Sequence, residues 1–190
     1  MYALNIDPNN PRGNPSGDQL RDLNVEMVRY TYHDSSSRAK LAQRRADFFR
    51  QKAREYHQAG IRSLIILSYD TFPGKPEPDA PNSAWGTYIE RFARRAGQIA
   101  ALLAPFQPVF QVWNEPDHPG HPGYHPTVRE AVYGRMLRHT RNAIQTVDSN
   151  ALIVTAGLAT GNPSWLTRVI ESQWCPPMAS LTGMAIPSLP

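Results

Sequence analysis

The sequence predicts an α/β fold of parallel strands: an incomplete (β/α)8 barrel, or TIM barrel, holding about the first five to six β/α units. Short β-branched and aromatic runs alternate with amphipathic helices, which is typical of a parallel sheet. No glycine fingerprint for a dinucleotide follows any strand, and we therefore favour a barrel over a doubly wound sheet. The 190 residues fall short of the roughly 250 of a complete barrel. We expect one partial domain over residues 1–190.

The first half of the chain predicts three strands, a short helix and a long helix. The predicted strands are 2–6, 25–32 and 61–69, and the predicted helices are 16–23 and 36–59. Gly60 follows the long helix directly, a common place for a helix to end. The apolar run at 64–67 is continuous rather than alternating, which indicates a strand buried on both faces.

The second half continues the alternation. Apolar residues three and four apart predict a helix over 83–103, and a strand follows at 109–113. Thr127 and Glu130 match a capping box that opens the next helix. We further expect a strand at 151–156, a short helix at 163–171 and the beginning of one more strand at 182–186.

Composition gives little support to a nucleic-acid or membrane function. The formal charge is +4 at neutral pH, but the basic residues fall in helical stretches and no nucleic-acid-binding motif accompanies them. We interpret these stretches as solvated outer helix faces. They contain Arg44, Arg45, Arg50, Lys52 and Arg54, then Arg91, Arg94 and Arg95. No apolar run approaches the roughly 20 residues of a membrane span.

The cellular compartment stays open at this point. Met1 runs into an apolar stretch without a basic start or a cleavage site. This favours a cytoplasmic protein, or a secreted one if the true N-terminus has been removed. The single cysteine, Cys175, allows no intrachain disulfide. We expect no cofactor.

The segment from Gln111 to Asp117 is the most informative for chemistry. It places an amide, Asn114, beside a carboxyl, Glu115, at the carboxyl end of a predicted strand, where parallel α/β proteins collect their functional groups. A carboxyl in such a position is suited to general acid catalysis. The alternative interpretation is a strand-end pair that merely caps the next loop.

The run Trp113-Asn114-Glu115-Pro116 resembles the Asn-Glu-Pro signature at the end of the fourth barrel strand of clan A glycoside hydrolases. Counting strands in this sequence gives the same ordinal. Val28-Arg29 resembles the arginine near the end of strand two, and residues 148–158 resemble the stretch around strand five. The resemblance covers most of the chain, is closest over 85–161, and is nearest to β-xylosidase-like family 39 and endoglycanase-like family 5 members.

The resemblance implies a retaining mechanism with two glutamates. Glu115 is implied to be the general acid/base, Asn114 to hydrogen-bond the sugar 2-hydroxyl, and Arg29 to hold the active-site carboxylates from below rather than to touch the sugar. The nucleophile belongs at the end of strand seven, and this chain stops around strand six. The end of the chain also lacks the His-Pro-Tyr-like segment frequent after strand six.

Two further residues are expected at the sugar site. Tyr69 can stack on a sugar ring through its apolar face, and His118 begins a histidine loop that lies over the cleft or simply on the surface. Tyr30, Tyr32 and Trp113 stay open between stacking and barrel packing, whereas Trp85 and Tyr88 fall on a buried helical stripe.

Three function classes therefore compete. The leading one is a retaining O-glycosidase acting on a carbohydrate substrate, present in truncated form and inactive alone. The second is a vestigial, non-catalytic carbohydrate-binding fragment. The third is a metal-dependent hydrolase using His118, His121 and His125, whose spacing matches no zinc motif. An unclosed barrel is also expected to leave 64–67 and 109–112 uncovered.

Overall fold

The computed structural model describes residues 2–10, 13–34, 39–120 and 126–174, of which 39–41 and 173–174 are described by their backbone alone. The elements are, in chain order, β1 (Ala3–Asn5), α1 (Gly17–Asp22), β2 (Met27–Thr31), α2 (Ala39–Gln58), β3 (Arg62–Leu67), α3 (Asn82–Leu103), a 3-10 turn (Ala104–Phe106), β4 (Val109–Val112), α4 (Glu130–Val147), β5 (Leu152–Thr155) and α5 (Pro163–Trp174). The predicted strand at 182–186 lies outside the described residues.

The five strands form one parallel sheet in the order β1-β2-β3-β4-β5. Each strand pairs with the next one in the chain, and a helix carries every crossover. A doubly wound sheet reverses its strand order at a switch point, whereas a barrel wall keeps it sequential. The topology thus confirms the predicted barrel, as five consecutive β/α units.

The core lies between the sheet and the helices. Side chains alternate across β2, so that Val28 and Tyr30 are buried against the helices while Arg29 points to the other face, where it is half-buried. The α3 and α4 helices make the most extensive helix contact, and α4 packs on α5 in turn. Gly60 has φ 77° just past α2, as predicted for the helix end.

The expected N-terminal cap of α4 was wrong. Thr127 does not cap α4, because the helix begins at Glu130 after Arg129, and no side chain caps its N-terminus. The Thr127 hydroxyl instead donates to the carbonyl of His118. A capping box does occur at α1, where Ser16 and Gln19 bond each other's backbone N–H groups.

The expected exposure of the central strands was also wrong, except that Leu64 is half-buried. All four residues of β4 are buried, and so are Ile65, Ile66 and Leu67 of β3. Neighbouring strands on both sides and the helices behind them cover these positions. Exposure falls instead on the outer strands of the described sheet, at Leu4 of β1 and at Leu152 and Val154 of β5.

Within the described chain, every helix is too short or too polar to cross a membrane.

Candidate active site

The backbone leaves ordinary conformations where β4 ends. Trp113 has φ 72° and Glu115 has φ 49°. A side chain at positive φ clashes with its own backbone, and each such residue costs about 1–3 kcal/mol, which the surrounding structure must offset. Two of them within three residues identify this turn as a segment whose shape is enforced by its surroundings.

At Trp113, the positive φ accompanies an indole that points toward the helix layer, away from the face of the sheet where Arg29 lies. Alternation along β4 would put Trp113 on the same face as Gln111. Instead, Trp113 is fully buried, with its ring centroid 5.7 Å from that of Phe92 and 6.4 Å from that of Tyr88 on α3. Its Nε1 donates to the carbonyl of Pro126 at 2.6 Å. This reversal places the next residue, Asn114, on the side of the sheet where Arg29 lies.

Arg29 of β2 connects three strands through its planar guanidinium. Its Nη2 donates to Oδ1 of Asn114 at 2.8 Å, its Nε to Oε1 of Gln111 at 3.0 Å, and its Nη1 to Oδ1 of Asn5 at 3.3 Å. Gln111 in turn donates from Nε2 to the carbonyl of Trp113 at 2.7 Å. The arginine therefore fixes both the amide of Asn114 and, through Gln111, the strained turn.

The charge of Arg29 is consistent with its hydrogen bonds to Asn114 and Gln111. Burial lowers the pKa of Arg29, and the nearby carboxylate of Glu115 opposes that shift. Arginine stays protonated under these conditions. The guanidinium is thus a fixed positive charge close to the carboxylate of Glu115.

The loop that carries Glu115 is also tied to β5. The backbone N–H of Glu115 donates to the carbonyl of Gly157 at 3.1 Å. Two residues on, the carboxylate of Asp117 accepts from the backbone N–H groups of Ala159 at 2.7 Å and Thr160 at 3.0 Å, and from the Thr160 hydroxyl. Burial works to raise the pKa of Asp117, but these hydrogen bonds outweigh it and leave the pKa below its usual value.

A buried tyrosine joins the same two strands just below the site. The Tyr133 hydroxyl donates to the carbonyl of Val112 at 2.9 Å and accepts from the N–H of Ala156 at 2.7 Å. Burial raises the pKa of this hydroxyl, which keeps it neutral. The ends of β4 and β5 are therefore held together from the helix layer as well as by their own pairing.

Tyr69 and His118 both lie beside this turn. Tyr69 follows β3, is half-buried, and meets Trp113 edge to face at a centroid distance of 5.7 Å. His118 is half-buried as well. Its backbone N–H donates to the carbonyl of Glu115 at 3.0 Å, and its Nδ1 accepts from the N–H of Gly120 at 2.9 Å. The turn that contains Glu115 thus holds the backbone of His118, and Gly120 orients its imidazole.

The other aromatic candidates belong to the core. Tyr30, Tyr32 and Trp113 are almost fully buried between sheet and helices, which is the packing alternative rather than sugar stacking. Trp85 and Tyr88 are buried too, as their helical spacing predicted.

Sequence reasoning gave no role to Gln111 or Asn5. Gln111 is 4% exposed in a strand that is otherwise apolar. A buried amide demands partners for its donors and acceptor, and this was the available signal. Asn5 offered no comparable signal, because a single polar residue at a strand end is common.

The metal alternative named three histidines, of which His118 falls within the described residues. Across the described ranges, no three His, Cys, Asp or Glu side chains gather as a metal site would require. His121 and His125 lie outside those ranges.

Solved structures of glycoside hydrolases share this fold. A family 5 broad specificity endoglucanase from Clostridium acetobutylicum is 16% identical with a TM-score of 0.65, covering 88% of this chain and 58% of that chain. A family 5 glycoside hydrolase from Prevotella bryantii B14 is 14% identical, with a TM-score of 0.62 and the same coverage. A family 39 glycoside hydrolase from Bacteroides cellulosilyticus WH2 is 14% identical with a TM-score of 0.53, covering 89% of this chain and 35% of that chain.

These structural similarities support a (β/α)8-barrel architecture for the chain. The chain spans little more than half the length of the two family 5 structures, which fits the predicted incomplete barrel. Families 5 and 39, to which the sequence motifs pointed, are both among the structures with this fold. No protein-family model and no curated protein sequence matches the chain.

Proposed function

We propose that this chain carries the acid/base half of a retaining glycoside hydrolase site, which cleaves O-glycosidic bonds in oligo- or polysaccharides. The observation that carries the proposal is the 2.8 Å hydrogen bond by which Arg29 fixes Asn114 beside Glu115, at the carboxyl end of β4. Functional groups of (β/α)8 enzymes collect at this end of the strands. The likeness in fold to glycoside hydrolases supports it further.

In this proposal Glu115 is the general acid/base. It protonates the glycosidic oxygen as the leaving group departs, and it later removes a proton from the incoming water. Asn114 hydrogen-bonds the sugar 2-hydroxyl, with its amide oriented by the bond that its Oδ1 accepts from Arg29. Arg29 acts on Glu115 through charge and on Asn114 through its hydrogen bond, without contacting the sugar. Tyr69 and His118 line the sugar site.

The nucleophile is proposed to come from a later barrel strand outside the described residues. A retaining mechanism needs a second carboxylate about 5–5.5 Å from the first. Two acidic residues that follow strands are engaged elsewhere: Asp34 pairs with Arg95, and Asp117 bonds Ala159 and Thr160. Residues 1–190 would then form a partial catalytic domain that does not turn over glycosides alone.

The test uses a reagent that needs only the acid. An epoxypropyl glycoside places a three-membered ring where the leaving group sits. The carboxyl proton of Glu115 passes to the epoxide oxygen, the epoxide C–O bond breaks, and an ester bond forms between the carboxylate and that carbon. We expect β-glucoside, β-xyloside and β-mannoside reagents to differ in rate, with one adduct on the peptide containing Glu115 by mass spectrometry.

Matched variants make the labelling experiment decisive. Glu115→Gln should abolish the adduct, whereas Glu90→Gln, which alters an exposed carboxylate of α3, should leave it unchanged. Protection by free sugar would show that the reagent occupies a site. Sugar binding without any label at Glu115 would reject the acid/base role and favour a non-catalytic carbohydrate-binding module.

A further inference from the structure

Gln111 is a buried amide in the middle of an apolar strand. The other residues of β4 are Val109, Phe110 and Val112, and all four positions are buried. The Gln111 side chain is only 4% exposed. Burying an amide costs free energy unless its polar atoms are hydrogen-bonded. Gln111 therefore contributes to the structure through its hydrogen bonds and not through apolar packing.

Both halves of the Gln111 amide are bonded, and to different partners. Its Oε1 accepts from Nε of Arg29 at 3.0 Å, and its Nε2 donates to the carbonyl of Trp113 at 2.7 Å. A guanidinium only donates and a carbonyl only accepts, so these partners define which end of the amide faces which way. A carboxylate at this position would accept from Arg29 but could not donate to the carbonyl, and an apolar side chain would do neither.

The first bond orients the guanidinium of Arg29. The group is planar, and it is held at Nε by Gln111 and at Nη2 by Oδ1 of Asn114, at 2.8 Å. Two bonded atoms of a rigid plane leave little freedom to rotate. The third bond, to Asn5, is longer at 3.3 Å and involves an exposed side chain. Gln111 is thus the buried anchor that aims Arg29 at Asn114.

The second bond holds the strained turn after β4. The carbonyl of Trp113 belongs to the peptide group that leads into Asn114, and this group lies between two residues with positive φ, Trp113 at 72° and Glu115 at 49°. Such conformations persist only where the surroundings enforce them. Pro126 holds the indole of Trp113 from the helix side, and Gln111 holds the carbonyl.

The two bonds converge on the same pair of residues. Through Arg29, Gln111 is connected to the side chain of Asn114, and through the Trp113 carbonyl it is connected to the backbone of Asn114. Glu115 is the next residue. A shift of the Gln111 side chain would therefore move Asn114 at two points and displace the carboxyl of Glu115 with it.

We propose that Gln111 is a positioning residue for the reaction at Glu115, acting through Arg29 and through the carbonyl of Trp113. The inference rests on the proposed function, because the reaction is the proton transfer assigned there to Glu115. The buried amide touches neither the sugar nor the reacting atoms. Its effect comes from the placement of the carboxyl, because a misplacement of about 1 Å can slow an enzymatic step a hundredfold.

The experiment measures how the rate of labelling by the epoxypropyl glycoside depends on reagent concentration, in the full chain. The half-saturating concentration reports binding of the sugar, and the maximal rate reports the reaction at Glu115. Gln111→Met should lower the maximal rate by about tenfold or more and change the half-saturating concentration by less than about twofold. An unchanged maximal rate would overturn the proposal, and so would a loss confined to sugar binding.

A double-mutant cycle tests whether Gln111 acts through Arg29. If it does, Gln111→Met and Arg29→Lys remove part of the same interaction, and the double variant should label faster than the product of the two single losses predicts. Losses that simply multiply would mean that the two residues act independently, which contradicts the proposal. Gln145→Met makes the same chemical change at a half-buried position near the end of α4, and it should label like the wild type.

Two NMR signals follow the two bonds without any reagent. One is the side-chain Nε–H of Arg29, and the other is the backbone N–H of Asn114, which shares its peptide group with the carbonyl of Trp113. Gln111→Met should speed solvent exchange of the Arg29 signal and shift the Asn114 signal. Gln111→Glu should keep the Arg29 signal protected and shift only that of Asn114, because a carboxylate accepts but does not donate. Unchanged signals in both variants would overturn the proposal.

The wild type distinguishes a failure of this proposal from a failure of the proposed function. If the wild type takes no label at Glu115, the acid/base role is wrong, and the NMR signals then show Gln111 shaping the turn without a role in that reaction. If the wild type is labelled and Gln111→Met reaches the same maximal rate, the acid/base role stands and the positioning role of Gln111 alone is wrong.

Discussion

Replacing Tyr133 with phenylalanine removes one hydroxyl that serves two backbone groups on different strands. The hydroxyl donates to the carbonyl of Val112 at 2.9 Å and accepts from the N–H of Ala156 at 2.7 Å, in a position only 1% exposed. Phenylalanine keeps the ring and its packing on Trp165, whose centroid lies 5.3 Å away. The substitution therefore tests the hydrogen bonds with little change in apolar burial.

The expected loss follows from the count of bonds. Each hydrogen bond contributes about 0.5–1.5 kcal/mol net, and a buried group left without a partner costs about 1–3 kcal/mol. Because two hydrogen bonds are lost and at least one buried N–H is left without a partner, we expect the free energy of unfolding to fall by about 2–4 kcal/mol. Tyr30→Phe is the matched control, since the Tyr30 hydroxyl contacts only the Ser63 hydroxyl among the described hydrogen bonds, at 3.1 Å. Its loss should stay near about 1 kcal/mol.

Urea unfolding followed by tryptophan fluorescence measures both variants, because Trp113 and Trp165 are buried near Tyr133. Burial raises the pKa of Tyr133 above that of an unfolded tyrosine, and the hydroxyl is therefore neutral in both states below about pH 9. The difference between the variants should be constant over that range. Equal losses for Tyr133→Phe and Tyr30→Phe, or a loss below about 1 kcal/mol for Tyr133→Phe, would refute the bridging role.

Three other changes test the rest of the site and the sheet. Arg29→Lys should slow epoxide labelling of Glu115 by about tenfold, because lysine lacks the fork that holds Asn114; an unchanged labelling rate would contradict this. The folded pKa of Asp117 is lowered, so the stability it adds over Asp117→Asn should be fully present above about pH 4 and disappear as pH falls through the lowered folded value. Urea titrations from about pH 3 to pH 7 check this, and a constant difference would speak against it. Val154→Lys should reduce self-association of the chain in sedimentation, because Val154 is exposed on an outer strand and charge there opposes edge pairing; unchanged association would reject β5 as the contact.

Local patterns in the sequence determined the fold class and the order of its elements. Apolar runs and helical spacing predicted β3, α3 and β4 close to their observed bounds. These patterns reflect interactions between residues a few positions apart, which a single sequence displays directly. The same logic located Glu115 at the end of the fourth strand, and the resemblance to the Asn-Glu-Pro signature added Arg29 to the site.

Tertiary structure decided how the site residues meet. Thr127 has the sequence of a cap, but its hydroxyl bonds His118 across the loop. Alternation would turn Trp113 toward the barrel interior, but packing on Phe92 and a positive φ turn it to the helices.

The contacts of Arg29 with Gln111 and Asn114 join residues 82 and 85 positions apart. Such contacts depend on strand register and on burial, which only the assembled sheet sets. A residue's neighbours along the chain reveal its element and its face. The partner of a buried polar group depends on which distant groups the fold brings within hydrogen-bonding distance. For Gln111 and Arg29, the pairing of strands β1 to β4 brings those groups together.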